Sequence, residues 1–300
     1  MIKKTDIPVL EAHRPEKPLV IRIDWWLGRV IAMSGAITEV AKRRPVKVIT
    51  PRQIVFWWNP YIESIHSTND VDLYKNVIKG NDYFELEPYT DPRFYNDWMN
   101  WLEVASSKLG LDEVAQPQLF LAEHEKFNNV LEGKVILFQP FGSTMTKQWS
   151  DKSYRSFKVA DAQYIADRFR EKGYTVYQVF DKDKQPQLNW CVVCSNPNLR
   201  WIISLADRYP VIWCDSCMHH AAKAFGKQSL VMWAATDVWR YWYDSHINMW
   251  ENGMVEHTPM RLWQLWFNYD IINQYSNKFS KEFLDSFVES WLNLLQWRYK

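Results

Sequence analysis

Short apolar runs alternate with amphipathic stretches along this chain, and the alternation starts twice. "LVIRI" (19–23) leads into "SGAITEVAKRR", where Ile37, Val40 and Ala41 fall at helical spacing, and "VKVIT" (46–50), "QIVFWW" (53–58) and "YFELEPY" (83–89) read as further strands. "PRFYNDWMNWLEVASSKLG" (92–110) reads as one amphipathic helix closed by Gly110. The pattern restarts with "KVILFQPFG" (134–142), a helix closed by Gly173, and "YTVYQVF" (174–180). It continues through "WCVVC" (190–194), "NLRWIISLADRY" (198–209), "PVIW" (210–213), "MHHAAKAFG" (218–226) and "SLVMWAA" (229–235), and the chain closes on the amphipathic "KEFLDSFVESWLNLLQWRY". Strands that alternate with helices imply parallel sheets covered on both faces. Two such runs predict an α/β protein of two domains, residues 1–130 and 131–300, with ligands outside the carboxyl ends of the strands and a cleft between facing sheets.

Composition narrows the chemistry. Among 300 residues, 47% are apolar and 24% charged, which supports real cores and excludes a disordered chain. A net charge of +1 gives no global field toward nucleic acid or membrane. The N-terminal stretch is broken by charge and proline and has no apolar signal-peptide core, and no apolar run reaches the roughly 20 residues a bilayer requires. The expectation is a cytoplasmic protein without a membrane span. With only 9 glycines, few glycine-built phosphate loops are expected. The 18 tryptophans serve as core volume or as platforms for sugar rings or bases.

"CVVC" (191–194) and "CDSCMHH" (214–220) raise two readings. Two Cys-x2-Cys pairs nineteen residues apart match the spacing of a four-thiolate zinc site. Val192 and Val193 instead favour an extended strand, and a whole helix fits between the pairs. The expectation is buried thiols and no metal. In the second reading, "PVIWCDS" runs a strand into a turn and "CMHHAAKAFG" begins a helix. Unpaired first-turn N–H groups and the helix dipole suit a diphosphate, Asp215 and Ser216 shape the turn, and His220 can aim a ring N–H at the same anion.

The stretch from "LRWIISLADRYP" to "LVMWAATD" resembles the second domain of the family 9 glycosyltransferases, the heptosyltransferase-like group. Their Asp–Ser/Thr–Gly–x–x–His turn and helix, followed by a strand and a Thr–Asp turn, are matched by Asp215, Ser216, His220, Thr236 and Asp237. "ILFQPFGSTMTKQWS" resembles the opening of that domain, where a polar turn precedes Lys-x-Trp, here Ser143, Lys147 and Trp149. "LGRVIAMSGAITEVAKRRPVKVIT" resembles the first domain's Leu-Gly-Asp-Val turn and helix. The resemblance implies a GT-B fold of two Rossmann-like domains and a metal-independent, inverting transfer from a nucleotide-diphosphate sugar. That donor is a substrate, so no cofactor is expected. Lys147, His220 and helix N–H groups would neutralise the leaving diphosphate, and Asp181 would accept ribose hydroxyls.

The chain departs from the pattern twice. Cys217 replaces the glycine of the diphosphate turn, and Arg29 replaces the first-domain aspartate, the family's general base. An arginine cannot remove a proton. Asp24, directly after "VIRI", is the candidate base, with Glu39 a weaker substitute, and Arg29, Trp25 and Trp26 are expected on the acceptor side. Three functions stay open: transfer to a saccharide, transfer to a hydroxylated or already glycosylated base of modified DNA, and non-catalytic binding of a nucleotide sugar or nucleic acid.

Overall fold

The computed structural model describes residues 17–24, 26–126, 131, 133–142, 156–179, 185–194, 198–209, 211–234, 238–251 and 279–298. The chain divides into two compact units. Unit 1 holds residues 1–125 with 223–225 and 239–241, and unit 2 holds the remainder. No helix of the described residues is long and apolar enough to cross a membrane.

Unit 1 is built on β1 (Leu19–Arg22), α1 (Leu27–Ala41), β2 (Val46–Ile49), β3 (Ser64–His66), β4 (Asp82–Glu85), α2 (Pro92–Asn96) and α3 (Trp101–Lys108). Its strands pair in parallel in the order β3-β2-β1-β4. Leu19, Val20 and Ile21 of β1 are fully buried, as a strand covered on both faces requires. Helix α1 lies against the segment 114–118, and Ser34 Oγ donates to the Gln118 carbonyl at 2.7 Å and accepts from the Gln118 N–H at 3.0 Å. Gly35 allows this approach: a Cβ there would stand 1.7 Å from the Gln116 carbonyl oxygen.

Two expectations in this unit are corrected. "QIVFWW" is no strand: Gln53–Val55 form a 3-10 turn, Val55 and Phe56 turn inward, and Trp57 and Trp58 stay exposed. Among the described residues the third strand of the sheet is Ser64–His66, whose polar ends carry no apolar run. The single helix over 92–110 is two. Trp98 takes a left-handed φ of 54°, and Asn100 restarts the chain as α3 with a capping box, accepting from Leu102 N at 2.9 Å while Glu103 accepts from Asn100 N at 2.8 Å.

Unit 2 contains β5 (Val135–Gln139), α4 (Val159–Glu171), β6 (Thr175–Val179), β7 (Val192–Cys194), α5 (Leu199–Arg208), β8 (Val211–Cys214) and α6 (Cys217–Ala224). After these come β9 (Ser229–Met232), α7 (Val238–Tyr241), β10 (Ile247–Met249) and α8 (Lys281–Arg298), with the ends of α6 and α7 counted in unit 1. All six strands are parallel in the order β10-β9-β8-β5-β6-β7. Leu284, Phe287, Val288 and Trp291 form the buried stripe of α8 at helical spacing. Asp285 ties α8 to α4, accepting from Tyr164 Oη at 2.7 Å and from Arg168 Nε at 3.2 Å.

Strand order decides where each unit can bind. In unit 2 the chain leaves β5 toward β6 and β7, then returns to the other side of β5 with β8. In unit 1 it leaves β1 toward β2 and β3, then returns with β4. The points of reversal, β5/β8 and β1/β4, are topological switch points, where open α/β sheets take ligands.

Candidate functional site

At the switch point of unit 2, β8 ends in Cys214 and the chain turns through Asp215 and Ser216 into α6. Ser216 precedes the first helical residue. Its hydroxyl donates to Gln139 Oε1, at the end of β5, at 2.8 Å and accepts a long bond from Met218 N at 3.4 Å. One hydroxyl therefore caps the helix and spans the crevice between the diverging strands. Asp215 is buried in the turn.

The first turn of α6 carries His219 and His220, both buried, with ring centroids 3.7 Å apart. His220 Nδ1 lies 2.6 Å from Tyr243 Oη. Burial pushes the Tyr243 phenol well above its ordinary value, so it stays protonated. When that hydroxyl donates to Nδ1, the imidazole proton sits on Nε2. His246 Nε2 donates to the His219 carbonyl at 3.0 Å. Asn248 Nδ2 donates to the Tyr243 carbonyl at 3.0 Å, and Asn248 Oδ1 accepts from Trp233 Nε1 at 2.9 Å. His220 is thus oriented by a chain of contacts that begins on β9 and β10.

The sequence alone pointed to Asp215, Ser216 and His220, and the structure brings them to one turn and the helix it opens. Tyr243, His246, Asn248 and Trp233 were missed. Twenty-three residues separate His220 from Tyr243, and no spacing links them; only the pairing of β10 with β9 does. Ser143, Lys147, Asp181, Thr236 and Asp237 lie outside the described residues.

The four cysteines do not converge. β7 and β8 are separated by β6 and β5, so Cys194 and Cys214 stand three strand spacings apart, about 14 Å. Burial raises the Cys191 and Cys194 thiols to about 11 each, which fits inert apolar packing. No group of three or more His, Cys, Asp or Glu among the described residues is arranged to hold a metal ion.

At the switch point of unit 1, Asp24 follows β1. Its Oδ2 accepts from Arg22 Nε at 2.8 Å and Nη2 at 2.6 Å, while Oδ1 is buried without a hydrogen bond. The hydrogen bond to Asp24 raises Arg22 above its ordinary value against the opposing effect of burial, so the clamp stays charged. Trp26 sits half-buried just before α1, and Trp25 lies outside the described residues. Arg29, on the first turn of α1, is buried, with its guanidinium 2.5 Å from Glu87 Oε2 and 4.4 Å from the centre of the Tyr89 ring. Lys108 is buried beneath this pair and donates to the Glu87 carbonyl at 3.1 Å and to Thr90 Oγ1 at 3.2 Å. Burial lowers its ammonium from the ordinary value, though Asp91 and Glu87 work against that.

Glu87 is the residue of this site that sequence reasoning missed. Its carboxylate stands against Arg29 from just beyond the neighbouring strand β4. Glu39, the weaker candidate base, does not stand at the switch point. It lies twelve residues along α1 from Leu27, about 18 Å from the switch point, where it accepts from Lys42 and Gln118 at 2.7 Å each. The Lys42 hydrogen bond lowers its carboxyl, partly offset by burial.

Solved structures resemble this arrangement over most of its length. The chain aligns with the family 9 glycosyltransferase of Veillonella parvula at a TM-score of 0.62 and 12% identity, covering 92% of this chain and 97% of that one. It aligns with the iron-containing dodecameric glycosyltransferase TibC of enterotoxigenic E. coli at a TM-score of 0.63 and 12% identity, over 95% of this chain and 77% of that one. For the E. coli ADP-heptose LPS heptosyltransferase II the values are 0.56 and 14%, over 86% and 98%. No protein-family model and no curated protein matches the sequence. Two parallel sheets, their helices and the terminal helix give the chain the GT-B fold of the family 9 glycosyltransferases.

Proposed function

We propose that this protein is a glycosyltransferase that moves a sugar from a nucleotide-diphosphate sugar to a hydroxyl of a saccharide, with inversion and without a metal. The observation that supports it most is the turn from β8 into α6 at the unit 2 switch point, within a fold shared with family 9 enzymes. In this reading the acceptor oxygen attacks the anomeric carbon as the bond from that carbon to the diphosphate oxygen breaks. Asp24 takes the acceptor proton, its carboxylate held through Oδ2 by Arg22. Negative charge grows on the leaving diphosphate, where first-turn N–H groups of α6 and the Nε2–H of His220 receive it. Lys147 is assigned to the same anion by the sequence resemblance, and Asp181 to the ribose by its place just after the strand-like run 174–180; Ser143, Thr236 and Asp237 complete the donor set.

The reading is tested by a thermal-stability screen of nucleoside diphosphates and nucleotide sugars in the presence of a chelator. A true donor at 100 times its dissociation constant adds about 2.7 kcal/mol to stability. A chain that no nucleotide stabilises, with or without divalent metal, is not a glycosyltransferase. Stabilisation that appears only with metal overturns the metal-independent step alone.

A further inference from the structure

The loop 185–190, which leads into the edge strand β7, presents Trp190 to solvent. The residue is 81% exposed, and its backbone is left-handed with φ of 59°, a conformation that bulky residues rarely adopt. Three glutamines hold the loop in this form. Gln185 Nε2 donates to the carbonyls of Phe141 at 3.0 Å and Gly142 at 3.1 Å. Gln178, wholly buried on β6, donates to the Pro186 carbonyl at 2.8 Å and accepts from Leu188 N at 2.8 Å. Gln163 on α4 accepts from Asn189 N at 2.7 Å and donates to the Asn189 carbonyl at 3.3 Å. Each peptide before Trp190 is therefore pinned, and the frame sustains the strain at the exposed ring.

A groove of about 630 Å³ lies beside the indole, lined by Gln187, Leu188, Asn189 and Trp190. Leu188 is anchored in the core, while Gln187 and Asn189 are exposed and their side-chain amides make no hydrogen bond among the described residues. Arg170, paired with Asp167 at 3.2 Å, stands 5.9 Å from the centre of the ring. One aromatic face with planar amides beside it complements a pyranose ring: the indole receives the C–H face, and the amides exchange hydrogen bonds with the hydroxyls. A protein-docking patch needs several hundred square ångströms of contiguous apolar surface; besides Trp190 the exposed apolar side chains nearby are Val192 and Val193 of β7, which alternate to opposite faces of the strand, and the groove itself is rimmed by two amides.

We infer that Trp190, with the amides of Gln187 and Asn189, forms a saccharide-binding site distinct from the two switch-point turns. Trp190 precedes β7 at the amino end of the sheet, while Asp215 follows β8 at the carboxyl end, and two strands lie between β7 and β8. The site does not depend on the proposed transfer reaction and stands or falls by itself.

The test uses full-length protein labelled with 5-fluorotryptophan, and the Trp190→Gly variant, which suits the left-handed backbone and removes only the indole. The fluorine resonance missing from the variant identifies Trp190. Titration with maltohexaose and with cellohexaose should shift that resonance with at least one probe, saturably at about millimolar concentration, and calorimetry should show binding at least about tenfold weaker in Trp190→Gly. The variant should bind nucleoside diphosphate as the parent does. A Trp190 resonance that neither hexasaccharide moves, or equal saccharide affinity in the variant, overturns the inference. So does sedimentation showing a parent dimer that the variant abolishes, which would give the ring to a second copy.

Discussion

Asp24 turns its two carboxylate oxygens to different surroundings, one clamped by Arg22 and one buried without a partner. Asp24→Asn should keep the clamp and remove the base. We expect transfer to fall by about 100-fold or more while nucleoside diphosphate affinity, measured by calorimetry, is unchanged. Equal turnover would eliminate Asp24. Glu87→Gln is the contrasting change, because it leaves Arg29 buried without its counter-charge. It should show itself first as lost stability, about 3 kcal/mol in urea unfolding, the low end for a broken buried pair since Glu87 keeps a fifth of its side chain in solvent. On the donor side, His220→Ala should cut turnover about 100-fold, as expected for one lost donor to a developing anion. Tyr243→Phe keeps the ring and removes the hydroxyl that orients His220, so its loss should be smaller, with donor affinity nearly intact. If both variants turn over normally, α6 does not hold the leaving group.

Helix α1 and strand β7 carry the predictions at the scale of elements. In an exposed helix Gly→Ala is worth about 1 kcal/mol of stability. At Gly35 the added carbon would meet the Gln116 carbonyl at 1.7 Å, and backbone does not swing aside as a side chain does. Gly35→Ala should therefore destabilise unit 1 by about 1–3 kcal/mol, read as a lower urea midpoint with unchanged slope. For β7 the sign follows from linkage. The Cys191 and Cys194 thiols titrate at about 11 in the fold against 9.0 for the ordinary group. The unfolded chain thus loses these protons first, and stability present below pH 9 is lost as pH rises toward 11. Cys191→Ala/Cys194→Ala protein should show a flatter alkaline stability profile over that window. The strand character of "WCVVC" was legible from its valines. The breaks at Trp58 and Trp98 were not, since a left-handed tryptophan has no local signature and is sustained only by the structure around it.

At the scale of the whole molecule, unit 1 is completed by residues that come late in the chain. Arg240 donates to the Phe94 carbonyl, and its guanidinium lies 4.8 Å from the Phe94 ring centre and 4.6 Å from that of Trp98. Tyr241 packs edge-on against Trp101 with centroids 4.7 Å apart. Tyr241→Ala should destabilise unit 1 by about 3 kcal/mol, and hydrogen exchange should rise in α3 although the substitution lies 140 residues away in sequence. A fragment ending at residue 125 should exchange faster in the same helix. What the sequence determined by itself is periodic and local. Apolar runs with helical stripes between them state a parallel α/β class, and Asp215-Ser216 after a buried strand states a capped helix end, because side-chain spacing and backbone capping are settled within a few residues. What only the tertiary structure decided is which strands are neighbours. Strand order sets the switch points, brings Glu87 to Arg29 and Tyr243 to His220, and holds the two cysteine pairs apart. Those pairings come from long-range packing of elements that are individually compatible with many partners.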